Sequence, residues 1–239
     1  MDYEQGSQLA YQCRVEWGYE GARRAAARHD IVVVVDILRF STAAVVAVAH
    51  GAVVHVEGEG TSQLNHNQGD ILSPGRHEAV VSGTHVTLRS PNGAMCCRYG
   101  KEAPHLFIAA LINARAAAQA ATAVLAGRDQ GISVIACGER RRGVSADGPL
   151  RFAIEDYLGA GAILFYLDLP KSAEAQVCQA AFEATRDCLP ALLLDSTSGW
   201  ELRHKGLAED VRYAARLNAV EAVPILRGED LQAFPITSG

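Results

Sequence analysis

The segment IVVVVD at residues 31–36 constrains the fold more than any other part of this chain. An unbroken run of β-branched residues is typical of a strand that is buried on both faces, as in a parallel sheet. Ser41 and Thr42 follow at once and are N-cap candidates for an apolar helix that runs to His50. The next predicted strand is AVVHVE at 52–57. This order predicts a parallel β-α-β unit.

A second unit of the same kind begins near residue 106. FIAAL is a predicted strand, Asn113 is expected to cap an alanine-rich helix to Leu125, and 132–137 is the next strand. The other predictions are a hairpin of strand pieces at 78–81 and 85–88, a short helix after Asn92-Gly93, helices at 150–158, 172–187 and 200–217, and a strand at 222–226. This alternation predicts an α/β fold with a mixed, mainly parallel sheet flanked by helices.

Size and charge narrow the class of protein. A chain of 239 residues that is 49% hydrophobic can form one unit, and two intimately packed α/β lobes dividing near residues 100–130 are an alternative. The high apolar content favours a homodimer. A net charge of −5 without a basic run excludes nucleic-acid binding. No apolar stretch reaches the ~20 residues of a membrane span, and the polar, acidic start is unlike a signal peptide, so we expect a cytoplasmic protein.

Several kinds of catalytic site are excluded by missing motifs. The six cysteines form no CxxC pair, and the eight histidines show no HxH or HExxH spacing, so a zinc site is not expected. The phosphate-binding loop motif GxxxxGK[ST] is absent as well. Oxygen ligands therefore point to Mg²⁺ if a metal is bound.

The first candidate site directly follows the valine-rich strand. Asp36 ends that strand at the edge where parallel sheets bind ligands, and Arg39 can hold a phosphate with its planar guanidinium. Ser41 and Thr42 would begin a helix whose N–H groups favour an anion. A carboxylate beside an anion site suits Mg²⁺-assisted phosphoryl transfer. An Asp36–Arg39 pair that only holds the loop, with Ser41 as an ordinary cap, is an equally valid interpretation.

Two further candidate sites lie in the middle of the chain. Asn92 and Gly93 form a turn after the strand HVTLR, where the amide could orient a substrate hydroxyl or a metal-bound water. Glu139 and Arg140 follow the strand at 132–137, and the acidic pair Glu155-Asp156 lies in an otherwise apolar segment. A buried acid there needs a cation, a metal or water. An ordinary turn and surface acids are the alternatives.

The fourth candidate site lies in the last third of the chain. Ser198 and Gly199 precede a predicted helix, whose N-terminus would favour an anion, and Asp210 follows nine positions after Glu201. A capped surface helix with an exposed aspartate is the alternative.

Taken in order, these segments resemble the 2-phosphosulfolactate phosphatase family. That family has a valine-rich strand followed by Asp, an aliphatic residue, Leu, Arg and small hydroxyl residues, and VVVVDILRFSTA stands at 32–43 here. The other similar segments are SPNGA (90–94), LINARAAA (111–118), CGER (137–140), IEDYLGAG (154–161), SGWEL (198–202), EDV (209–211) and Val223-Pro224. The ordered set, which spans most of the chain, is more specific than any single segment.

The resemblance implies a fold of two α/β lobes with an acidic, Mg²⁺-requiring cleft that removes phosphate from 2-phosphosulfolactate during coenzyme M synthesis. The implied metal ligands are Asp36 with one or more of Glu139, Glu155, Asp156 and Asp210, and the implied catalytic residues are Asp36, Arg39 and Glu139. The implied substrate contacts are Ser41, Thr42, Asn92, Gly93, Arg140, Ser198 and Gly199. A small phosphate ester is the expected partner. A non-catalytic small-anion-binding protein of the same family is the alternative.

Three departures from the family pattern concern expected anion contacts. Gly58-Glu59-Gly60 stands where the family usually has Gly-Glu-Arg, and Ser90-Pro91 stands where a hydroxyl-rich stretch usually precedes Asn-Gly. Leu72-Ser73-Pro74 replaces Asn-Ser-Pro. These departures are compatible with a different substrate or with lower activity.

Overall fold

The computed structural model describes residues 8–58, 72–125, 130–140 and 149–235. Within these ranges eight strands form one sheet, and two short strands form a separate ladder. The strands of the sheet are β1 (Cys13–Trp17), β2 (Ile31–Val35), β3 (Val53–Glu57), β4 (His85–Arg89), β5 (Leu106–Ala109), β6 (Ile132–Ala136), β9 (Pro224–Arg227) and β10 (Asp230–Ala233), and the ladder is β7 (Glu139–Arg140) with β8 (Leu150–Arg151).

Helices cover both faces of this sheet. They are α1 (Gly18–Ala27), α2 (Phe40–Ala49), α3 (Pro74–His77), α4 (Gly93–Gly100), α5 (Ala114–Leu125, preceded by the 3₁₀ turn Leu111–Asn113), α6 (Ile154–Tyr166), α7 (Ala173–Thr185), α8 (Leu189–Asp195), α9 (Thr197–His204) and α10 (Ala208–Ala214).

The strand order is β1-β6-β2-β5-β9-β10-β3-β4. The first four strands are parallel to one another, and β3 and β4 are parallel to each other. The strands β9 and β10 join these two groups through antiparallel pairs. The predicted α/β fold with a mixed, mainly parallel sheet flanked by helices is confirmed. A division into two lobes near residues 100–130 stays a prediction.

The strand β2 is buried over its whole length, as the valine run predicts. Because successive side chains point to opposite faces, Val33 and Val35 pack with α5 and α6, while Val32 and Val34 pack with α1, α2 and α4. Both neighbours of β2 are parallel strands, which leaves its carboxyl end open for the loop that carries Asp36.

The helix α2 is buried on every side, from Phe40 to Val48. It contacts β3, β4, β5, β9 and β10, so the sheet curves around it. This curvature brings the loop after β4 to the loop after β2, although β3 and β4 run opposite to β2 in the sheet. The hydroxyl of Ser90 lies 3.1 Å from the Asp36 carboxylate as a result.

Four predictions of local structure were wrong. The strands β2 and β3 do not form a parallel β-α-β unit, because β3 pairs with β10 and β4 and runs opposite to β2. Residues 78–81 form a turn, and β4 pairs in parallel with β3, so there is no hairpin. The predicted helix at 150–158 begins as a strand, since Leu150 and Arg151 pair with β7, and α6 starts only at Ile154. The predicted helix at 200–217 is two helices, because Gly206 takes a positive φ of 76° between them. Gly60, one of the family departures, lies outside the described residues.

Three elements of the fold, β1, α1 and β10, were not predicted. In the part of the chain that the structure describes, none of the helices combines the length and the apolar character needed to cross a bilayer.

Candidate active site

A cleft of about 490 Å³ opens at the carboxyl ends of β2 and β6. This volume suits a small ligand. The cleft is lined by both acidic and basic side chains. Its acids are Asp36, Glu139 and Glu201, and its cations are Arg39, Arg140, Arg151 and Lys205.

Asp36 lies at the floor of this cleft and is only 6% exposed. Its Oδ1 atom accepts a hydrogen bond from the Phe40 N–H at 3.3 Å, and its Oδ2 atom accepts one from the Gly93 N–H at 3.0 Å. These two N–H groups begin α2 and α4, so two helix N-termini with their partial positive charge point at one carboxylate. The third donor is the Ser90 hydroxyl.

Burial raises the pKa of Asp36 from its ordinary 3.8 to about 6, and the negative charge of Glu139 adds to the rise. The hydrogen bonds from Ser90, Phe40 and Gly93 oppose it. The donors to Asp36 are therefore neutral groups, and the charge of Glu139 that acts on it has the same sign. A cation placed in the cleft would relieve both burial and repulsion.

The turn SPNG brings these donors to Asp36. A Cβ atom on Gly93 would lie 2.8 Å from Asp36 Oδ2 and 2.3 Å from a ring carbon of Phe40, so only glycine lets this backbone N–H approach the carboxylate. The Ser90 hydroxyl also accepts from the N–H groups of Asn92 and Gly93. Ser90 was missed as a site residue because a serine before proline reads as an ordinary turn.

Asn92 lies between Asp36 and Glu139. Its Nδ2 donates to Glu139 Oε1 at 3.1 Å, which fixes the orientation of the amide. Among the residues that the structure describes, no donor reaches its buried Oδ1 atom. A buried acceptor without a donor is uncommon and calls for a ligand. Asn92 lines the cleft together with Asp36 and Glu139.

The ladder β7–β8 places Arg151 directly opposite Glu139. Paired side chains in a ladder lie about 5 Å apart at Cβ, so Arg151 belongs to the group that surrounds Asp36. Arg140 also lines the cleft, and its guanidinium stacks on the ring of Tyr19 at 4.3 Å. Arg151 was missed because its segment reads as a helix, and its cross-strand pairing is visible only in the tertiary structure.

Arg39 lines the cleft as predicted, but it does not pair with Asp36. Its Nη1 donates to Asp210 Oδ2 at 2.7 Å, and both side chains are about nine-tenths buried. The second oxygen of Asp210 accepts from the Ser73 hydroxyl at 2.6 Å. The interpretation of Arg39 as a tie for Asp36 is therefore wrong. The peptide bond between Leu38 and Arg39 is cis.

Asp210 was predicted as a metal ligand, and it lies in the first turn of α10 rather than in the cleft lining. Since both its oxygens are engaged by Arg39 and Ser73, its geometry favours holding the Arg39 guanidinium. Ser73 belongs to the segment 72–74, which departs from the family pattern. By holding Asp210, it contributes to the site indirectly.

Glu155 and Asp156, the predicted acidic pair, are both 4% exposed and lie in the first turn of α6. Burial raises the pKa of both groups, while a hydrogen bond from Ser198 and the charge of Arg151 oppose the rise at Glu155. Asp156 accepts the N–H groups of Ile37 and Gly138. The pair therefore lies behind the cleft wall, against the loops that carry Asp36 and Glu139.

Ser41 and Thr42 were predicted as helix caps and anion contacts. The caps were wrong, because α2 already begins at Phe40 and Arg39 is the N-cap residue. Both hydroxyls are fully buried inside the β2–α2 connection: Ser41 accepts the N–H of Asp36 at 2.9 Å, and Thr42 donates to the carbonyl of Ile37 at 2.8 Å. They shape the Asp36 loop and do not line the cleft.

The helix α9 begins earlier than predicted. Ser196 caps it by accepting the Gly199 N–H at 3.0 Å, so Ser198 and Gly199 lie within the first turn. Ser198 lines the cleft with Thr197. Gly199 is needed for packing, since a Cβ atom there would lie 1.8 Å from the Leu193 carbonyl oxygen.

The oxygen donors present fit a magnesium ion. Within the described ranges the structure shows no group of three or more His, Cys, Asp or Glu side chains that could hold a metal. Mg²⁺, however, binds through one or two carboxylates, neutral oxygens and the substrate phosphate. Asp36, Glu139 and the unpaired Oδ1 of Asn92 supply such a set.

Comparison with known proteins is consistent with this site. A family model described as 2-phosphosulpholactate phosphatase matches residues 71–229. The 2-phosphosulfolactate phosphatase of Methanocaldococcus jannaschii is 29% identical over 150 residues, which is 63% of this chain and 59% of that protein. The alignment thus spans less than two thirds of that relative's length.

Two bacterial relatives align over most of their length. Proteins named probable 2-phosphosulfolactate phosphatase from Deinococcus radiodurans and Thermus thermophilus are each 28% identical to this chain. The alignments cover 85% and 83% of this chain, and 91% and 89% of the relatives. Because the family model matches well over half of the sequence, this chain belongs to the 2-phosphosulpholactate phosphatase family.

Proposed function

We propose that this protein hydrolyses a small phosphate monoester with the help of Mg²⁺, and that 2-phosphosulfolactate is the first candidate substrate. The observation that carries the proposal is the placement of Asp36 and the unpaired Asn92 oxygen in one cleft with four cations. Membership in a family of phosphatases supports the reaction class, and the names of the relatives support the substrate.

The chain's residues divide into two sets. Asp36, Glu139 and Asn92 Oδ1 would hold Mg²⁺, which when bound supplies a Lewis acid for the phosphoryl group and a more acidic water. Arg39, Arg140 and Arg151 would hold the phosphate oxygens and balance the charge that develops on them during transfer. Planar guanidinium groups suit this task because they bind two oxygens at once.

The hydrogen bonds around Asp36 define what this carboxylate can do. Both its oxygens accept bonds from rigid backbone or buried groups, so it is held in one orientation. A fixed carboxylate serves as a metal ligand, and it could also act as the nucleophile, with water attacking afterwards. Both roles require the ionised form.

Release of phosphate from a panel of esters tests this function. The panel would hold 2-phosphosulfolactate, 2-phospholactate, 3-phosphoglycerate and glycerol phosphate, each with Mg²⁺ and with EDTA. We expect release in Mg²⁺, loss in EDTA, and loss in the Asp36→Asn variant. Full activity after exhaustive chelation would refute the metal role. Binding of inorganic phosphate without turnover of any ester would instead support the anion-binding alternative.

The cellular setting is also a proposal. All six cysteines are free and five of them are buried, which agrees with a reducing compartment such as the cytoplasm. The homodimer expected from the apolar content stays a prediction, as does a role in coenzyme M synthesis.

A further inference from the structure

Asp156 is a buried carboxylate whose two oxygens accept backbone N–H groups from two separate loops. Oδ1 accepts the N–H of Ile37 at 2.8 Å, and Oδ2 accepts the N–H of Gly138 at 2.9 Å. The side chain is 4% exposed and does not line the cleft. Its location therefore differs from that of Asp36, which faces the cleft.

The two N–H groups belong to residues that adjoin the catalytic acids. Ile37 follows Asp36, and Gly138 precedes Glu139. The neighbouring strands β2 and β6 pair as far as Val35 and Ala136, and the last backbone bond runs from the Cys137 N–H to the Val35 carbonyl at 2.9 Å. Beyond this point both segments leave the sheet. The next N–H groups, those of Ile37 and Gly138, donate to the Asp156 carboxylate instead of to a neighbouring strand.

The carboxylate form of the side chain matters for this bridge. Two N–H donors that converge on one small group need two acceptors, and an aspartate offers both. An asparagine of the same shape offers one acceptor, and its NH₂ group would face the other N–H. Glycine at 138 fits the bridge as well, because its φ of 66° turns the chain and a Cβ atom would lie 2.9 Å from Leu150.

We infer that Asp156 is a positioning residue, which sets the separation of Asp36 and Glu139 by holding the two loops with one carboxylate. We assign it no metal, because, unlike Asp36, its side chain does not line the cleft. The inference rests on the proposed function for the roles of Asp36 and Glu139, while the bridge itself is independent of it.

The test compares Asp156→Asn with Asp30→Asn. Asp30 is a second buried aspartate, 2% exposed, at the opposite end of β2 and remote from the cleft. For Asp156→Asn we expect kcat to fall on the order of 10- to 100-fold, because small displacements of catalytic groups have effects of this size. The Mg²⁺ concentration for half-activation should rise as well, since the two displaced acids are the proposed metal ligands, but saturating Mg²⁺ should not restore kcat. For Asp30→Asn, measured well below its melting temperature, kcat should be preserved.

Amide hydrogen exchange of Ile37 and Gly138 gives a readout that does not depend on activity. Both amides should lose protection together in Asp156→Asn and keep it in Asp30→Asn. If Asp156→Asn does not fold, Asp156→Glu, which keeps both acceptors but displaces them, is assessed by the same exchange measurement. If Asp30→Asn does not fold, Ser133→Ala replaces it, since Ser133 donates to Asp30 at 2.8 Å.

Three results would overturn the inference: an unchanged kcat in Asp156→Asn, an equal loss in the Asp30 control, or a loss that higher Mg²⁺ concentrations restore, which would make Asp156 a metal ligand. If the wild type hydrolyses no ester, the proposed function fails and the inference is judged separately. Unchanged exchange at Ile37 and Gly138, with an unchanged Asp36–Glu139 separation in a crystal structure of the variant, would then refute it.

Discussion

The two ends of β2 hold buried aspartates in opposite electrostatic surroundings. Asp30, just before the strand, pairs with Arg14 at 2.5 Å and with Arg28 at 3.0 Å, and it accepts the Ser133 hydroxyl. Asp36, just after the strand, accepts hydrogen bonds from the neutral donors Phe40, Ser90 and Gly93 in the part of the chain that the structure describes, and Glu139 repels it.

The same contrast extends to the neighbouring acids. At the amino end Glu16 joins the network through Arg24 and Arg28. At the carboxyl end burial raises the pKa values of Asp36, Glu155 and Asp156. The charge of Glu139 adds to the rise at Asp36 and Glu155, and the charges of Asp36 and Glu155 add to it at Asp156. A buried acid that only stabilises a fold is normally paired with a cation. Burial of three acids without full compensation is instead typical of a functional site.

The largest expected effect comes from Asp36→Asn. Removal of the charge should lower turnover at least ~1,000-fold, a change in the activation barrier near 4 kcal/mol, because either role of Asp36 needs the ionised form. Stability without metal at neutral pH should stay close to that of the wild type, because the loss of a repulsive buried charge offsets the loss of one acceptor for the Phe40 or Gly93 N–H. Steady-state kinetics and thermal unfolding of one purified sample check both.

The matched change at the other end of the strand should do the reverse. In Asp30→Asn two guanidinium groups lose their buried partner, so stability should fall by about 3–5 kcal/mol while turnover well below the melting temperature stays near wild type. If the two variants behave alike, the contrast between the strand ends has no functional meaning.

The next effect is a dependence of stability on pH. Because the pKa of Asp36 rises to about 6 on folding, the folded protein binds more protons than the unfolded chain between roughly pH 4 and 6. The contribution of Asp36 is thus fully present at low pH and is lost as the pH rises through about 6, with a magnitude on the order of 3 kcal/mol.

Urea unfolding of the metal-free protein across this range checks the direction. Asp36→Asn should remove this part of the slope, and Mg²⁺ should weaken it by favouring the ionised form. A wild-type protein whose stability rises from pH 4 to pH 6 by the same amount as the variant's would contradict the raised pKa.

The smallest of these effects concerns Arg39. Arg39→Lys keeps the charge but loses the planar group that contacts Asp210, so kcat/KM should fall roughly ten- to a hundred-fold, equivalent to about 1.5–3 kcal/mol. The change should appear mainly in KM if Arg39 binds phosphate in the ground state. Arg24→Lys is the control, since Arg24 pairs with Glu16 at the other strand end. An unchanged rate for Arg39→Lys would leave Arg39 a purely structural partner of Asp210.

Local patterns predicted much of the central fold. The valine run of β2, the helix that follows it and the alanine-rich α5 all have strong periodicity, and the structure confirms them. The strands β1 (CRVEW) and β10 (DLQA) contain both polar and apolar residues. Arg14 and Glu16 alternate with apolar residues in β1 because they face the buried ion network, and this alternation is a strand signal that the sequence-based prediction missed.

The sequence by itself determined which polar residues follow buried strands, because a run of β-branched residues and a following acid are local features. Asp36, Arg39, Asn92, Glu139 and Arg140 all line the cleft for that reason. Only the tertiary structure decided which other groups join them. The two-residue ladder places Arg151 at the cleft, and the curvature of the sheet around α2 places Ser90 there. Arg39 donates a hydrogen bond to Asp210, which lies 171 positions away in the sequence. Such contacts depend on how the elements pack, and the packing of distant segments leaves no periodic signal in the sequence of either segment.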